Sequence, residues 1–153
     1  MIKQLLHIKQ IRVELAEQAL NRAKSLVIKR ENALSKSKND LIEHIQFRKS
    51  EEDRMFQEVL GKHISLKLIE SIKEKVASLK HQDVDFKEKI EVAKKDLRDA
   101  KQQVQDRHFD LINAEKSEQK YETLDEKISS EEVIKQQVAE DNELDEFKVK
   151  ILQ

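Results

Sequence analysis

At 153 residues with no proline, one glycine and no cysteine, the chain permits very long helices and excludes disulfides, thiolate metal sites and cysteine nucleophiles. Charged residues make up 40% and aromatic residues 4%, too little apolar material for a broad globular core but enough for a narrow seam. The net charge of −1 offers no bulk field for nucleic acid. No leader peptide and no membrane-inserting segment are expected, because no apolar run is long enough to span a bilayer.

The first predicted element is a helix over about residues 2–60. One heptad position reads Leu6, Val13, Leu20, Val27, Leu34 and Leu41; its companion, three residues on, reads Ala16, Ala23, Arg30 and Ser37. Apolar residues at alternating spacings of three and four make a seam along one helix face. A composition this charged also suits a disordered chain, but disorder does not sustain heptads over forty residues. Off the seam, Ile8, Ile11 and Leu15 fall on the opposite face at the same spacing and form a second apolar stripe. Its alternatives are a wider core, a third helix from another chain, or a surface that docks a partner. Phe47 flanks the seam and is a candidate contact residue.

A turn is predicted near residues 61–65, where the single glycine, Gly61, precedes Ser65, a good helix N-cap. The second helix then runs from about 66 to about 150. Its seam reads Ile90, Leu97, Val104 and Leu111, with companions Phe86, Ala93, Ala100, Arg107, Ala114 and Tyr121. At 1.5 Å per residue the two helices measure roughly 90 Å and up to 130 Å. Phe109 lies away from its seam neighbours and is a second candidate contact residue. The remaining isolated apolar positions, Ile28, Ile42 and Ile112, are weaker cases.

If the helices pair antiparallel so that facing residue numbers sum to 127, large residues meet small or polar ones at most levels. Leu34 then faces Ala93, Val27 faces Ala100, Val104 faces Ala23 and Leu111 faces Ala16. The fold expected is all-α, a single coiled-coil domain over 1–153 built as one long antiparallel two-helix hairpin. Toward the turn the pairing continues with Arg48 facing Leu79, Met55 facing Ile72 and Val59 facing Leu68, but the seam is poorer there, where His44 meets Asp83 and Glu51 meets Val76. Beyond residue 126 the second helix overhangs. It carries Val133, Ile134, Val138, Leu144, Phe147, Val149, Ile151 and Leu152, and a capping-box pattern at Ser129 to Glu132 that could restart the helix there.

Charge is unevenly placed. Residues 1–30 hold seven Lys and Arg against two Glu, whereas residues 115–153 hold twelve acidic and six basic side chains. Either the two segments compensate one another in the hairpin, or the acidic tail docks a basic partner surface. No catalytic constellation is present: one glycine excludes phosphate loops, no two of the five histidines stand at helical metal-pair spacing, and a two-helix rod offers no pocket. A non-enzyme without cofactor or metal is expected. His44 and His81, with Asp83 nearby, are the remaining candidate metal ligands, against a plain solvated reading.

The opening run from Met1 to Ala19, with Arg12-Val-Glu-Leu-Ala-Glu17 inside it, resembles the start of the YscO family of type III secretion proteins. The stretch Glu51 to Phe56 and the acidic tail near Glu143 to Phe147 are similar to it as well. The resemblance implies a cytoplasmic stalk, peripheral to the inner membrane and similar to flagellar FliJ. Such a stalk seats its terminal end in a hexameric secretion ATPase and links that ATPase to an export gate protein. The Ile8, Ile11 and Leu15 stripe would then meet the ATPase, and Phe47 with the 42–56 region would meet the gate. The alternative is an escort adaptor for export chaperones, centred on Phe47 and Phe109; a third reading is a homodimeric tether. A stalk is expected to be a monomer when alone.

Overall fold

The computed structural model describes residues 1–152 of the chain; the side chain of Leu152 and all of Gln153 lie outside the described residues. Two helices account for almost everything: α1 (Ile2–Val59) and α2 (Leu66–Leu152). With no proline to break them, they run 58 and 87 residues without interruption. The protein is all-α, an antiparallel two-helix coiled-coil hairpin.

Between the helices, Gly61 takes a left-handed φ of 75° with no heavy atom within 4 Å of where a Cβ would stand. That is the conformation which ends many helices and which only glycine adopts without strain. Ser65 caps α2: its Oγ accepts a hydrogen bond from the Leu68 N–H at 3.2 Å, and its carbonyl accepts from Ile69 N–H at 3.2 Å. The capping-box pattern at Ser129 starts no new helix: α2 passes straight through it, in keeping with the expected span of about 66–150. Without a proline or glycine there, the capping serine has nothing to interrupt.

The helices pack as two compact units. In the first, Met1–Asn21 lies against α2 from Asp106 onward. Val13 and Leu20 are buried, and Leu6, Ala16, Leu111, Ala114 and Tyr121 are half-buried. Lys9 places its ammonium 5.1 Å from the Tyr121 ring centroid. From Ser130 to Ile151 every side chain is exposed, including the apolar ones from Val133 onward.

The second unit is Arg22–Gln105. Its buried apolar residues are Ala23, Met55, Ile90, Ala93 and Ala100. Alanine dominates because small residues let two helices approach closely while a larger residue on the partner fills the gap. Two positions on the heptad lines turn outward instead: in this unit Arg30 is exposed and lies 3.8 Å from Asp96, and in the first unit Arg107 is exposed and lies 3.4 Å from Asp110. A guanidinium escapes the seam by extending its stem along the surface.

Candidate partner-binding surfaces

In the first unit, Ile8, Ile11 and Leu15 are between 41% and 54% exposed. Their spacing of three and four on α1 puts them on one strip, facing away from the buried Val13 and Leu20. Arg12 is exposed beside them and Lys9 leans toward Tyr121, so the strip is apolar with a basic margin. On α2 Phe109 is 64% exposed, although Leu111 two residues on is half-buried. The structure therefore makes these four side chains available, but it does not gather Phe109 into one site with the strip.

The same unit holds a like-charge cluster. The carboxyl of Glu118 is pushed above its ordinary value first by partial burial, then by Glu122, Glu115 and, from α1, Glu17. At this level a carboxylate of α1 adds to those of α2.

In the second unit Phe47 is 53% exposed and borders a shallow groove of about 310 Å³. Met55 and Leu79 give the groove apolar walls, and Glu51, Arg54 and Lys75 rim it. Arg54 holds Glu51 at 2.7 Å and Glu58 at 2.8 Å. That fork keeps the Glu51 carboxyl below and the Arg54 guanidinium above their usual values. Phe56, the last residue of the 42–56 region, is exposed as well.

The level that read as a poor seam is the most structured polar site in the second unit. His44 is buried, with Nε2 3.2 Å from the Leu79 carbonyl and 3.0 Å from Asp83 Oδ1. Its ring stacks on Phe86 at 4.7 Å and is tilted against Phe47 at 6.4 Å. Arg48 Nε lies 3.0 Å from Asp83 Oδ2 and its Nη1 donates to Glu52 Oε1 at 3.1 Å. Arg48 stands one helical turn after His44, and that spacing of four could have revealed the third member. His81, the other candidate ligand, is exposed. Among the described residues no group of three or more His, Asp or Glu side chains is placed to hold a metal ion, and no helix is long and apolar enough to cross a membrane.

Two long antiparallel helices with a narrow seam and no strand define the class of two-helix coiled-coil proteins. The family model described as Type III secretion protein YscO matches residues 2–150, and the chain belongs to that family. Among solved structures, the type III secretion protein YscO from Vibrio parahaemolyticus superposes with a TM-score of 0.89 at 26% identity, covering 96% of this chain and 92% of that one. A comparison with curated proteins gives no match.

Proposed function

We propose that this chain is the non-enzymatic central stalk of a bacterial type III secretion system. It docks its terminal segments into the hexameric secretion ATPase, stimulates it, and couples it to the export gate from the cytoplasmic side of the inner membrane. The observation that carries the reading is the exposed Ile8, Ile11 and Leu15 strip on the helix pair that holds both chain ends, in a member of the YscO family. Weak contacts spread along a strip suit a shaft that must bind several equivalent subunits without locking onto one. Family membership supports a place in secretion, and the exposed Phe47 beside its groove supports a second contact, assigned here to the gate.

The same Phe47 groove also favours the second reading, an escort that binds export chaperones there and at Phe109. Sedimentation of the chain with the purified secretion ATPase tests the proposal. A monomer when alone that joins the ATPase, and fails to join it as the Ile8→Asp, Ile11→Asp, Leu15→Asp variant, is the expected result. A helical variant that still binds with full affinity overturns it.

A further inference from the structure

The His44 cluster is poorly built for stability. Arg48 Nε lies 3.0 Å from Asp83 Oδ2 and Asp83 Oδ1 lies 3.0 Å from the His44 ring, yet Arg48 Nε and Asp83 Oδ1 are buried without a well-directed hydrogen bond. A partly satisfied buried ion cluster contributes less than the apolar packing it displaces, and replacing such clusters by apolar side chains is often neutral or stabilising. Their best-attested use is to single out one alignment of the helices.

The apolar ladder of the second unit leaves that alignment under-determined. His44 against Asp83 sets facing numbers to a sum of 127. Shifting α2 by one heptad in one direction pairs Val27 with Ala93 and Ala23 with Leu97. The opposite shift pairs Leu34 with Ala100 and Leu41 with Ala93, so large still meets small. Either shift moves the turn by three or four residues, and residues 61–70 are all exposed, so few contacts oppose it. The ion cluster opposes it strongly. One shift sets His44 against Val76 and Asp83 against Ser37; the other sets His44 against Ile90 and Asp83 against Glu51. Each strands a buried charge or places two carboxylates together.

We propose that His44, Asp83 and Arg48 form a register lock, which holds the second unit in one pairing so that the helices cannot slide past each other by a heptad. The lock does not depend on which partner the protein serves.

The test uses the absence of cysteine from the full-length chain. Arg30→Cys with Leu97→Cys reports the native pairing by disulfide formation, and Arg30→Cys with Ile90→Cys or with Val104→Cys reports the two shifted pairings. In the otherwise unaltered chain the native link is expected to dominate. With His44→Leu, Arg48→Met and Asp83→Leu added, helicity and melting temperature are expected to hold or rise. The shifted links should then grow roughly tenfold relative to the native one, the effect of losing one buried polar specifier. A folded triple variant that forms the native link alone overturns the proposal. The charge exchange decides independently of the triple variant: His44→Asp alone should scatter the links, and His44→Asp with Asp83→His should restore the native link. Native linkage in the single variant overturns the lock.

Discussion

The Lys9 ammonium of α1 lies 5.1 Å from the centre of the Tyr121 ring of α2, which fastens the first turns of the chain to the long helix. The basic start of the chain therefore contacts an aromatic face at this level. Tyr121→Ala should loosen residues 3–13 and cost roughly 1–2 kcal/mol from the lost cation–π contact and lost burial together. Lys9→Gln should cost about half as much. Amide hydrogen exchange along α1 measures both. Unchanged protection at Val13 in the Tyr121 variant would show that the ring fastens nothing.

Glu118 gives a pH signature. Its carboxyl is raised by burial and by Glu122, Glu115 and Glu17, so the folded chain holds that proton more tightly than the unfolded chain does. The contribution to stability is present below the unfolded value and is lost as pH rises through the raised folded value. At neutral pH the charge is thus a burden. Glu118→Gln should raise the melting temperature at pH 7 and lose that advantage as the pH falls toward about 4. A gain that is the same at both pH values would contradict the assigned cause.

Ala100 is 2% exposed, the tightest apolar position of the second unit. Ala100→Leu should overpack the helix interface and cost about 1–3 kcal/mol in urea unfolding. An exposed neighbour such as Gln103→Leu should stay within about 0.5 kcal/mol. Equal effects at the two positions would mean the helices are not closely packed at this alanine.

At Gly61 the space for a side chain is open but the backbone angle is not suited to one. Gly61→Ala should therefore cost about 1 kcal/mol through conformation alone, and Gly61→Asn clearly less, since asparagine tolerates left-handed angles. Equal stability of the glycine and alanine chains would place the turn in another conformation.

Much of this architecture is legible in the residues. The large-to-small alternation of Leu34 with Ala93 and Val27 with Ala100 sets a sum of 127, and the His44–Asp83 contact obeys it. Heptads report pairing because both helices must bury the same narrow strip. What periodicity cannot report is where a long polar side chain goes. Arg30 and Arg107 stand on the heptad lines yet reach solvent, and Arg48 leaves its facing residue to join Asp83 one turn away. The capping pattern at Ser129 marks no boundary for a related reason: a local side-chain preference yields to a helix with no breaker in it. Exposed apolar residues such as Ile8 and Phe109 are found by the same counting, whereas the groove beside Phe47 needs both helices in place.

The most direct test of the stalk reading is steady-state ATP hydrolysis by the cognate secretion ATPase, with and without this protein. Stimulation should be lost in the Ile8→Asp, Ile11→Asp, Leu15→Asp variant and kept in Phe47→Asp, with helicity intact in both. Full stimulation by the triple variant, or loss only in the Phe47 variant, would contradict docking through the terminal segments.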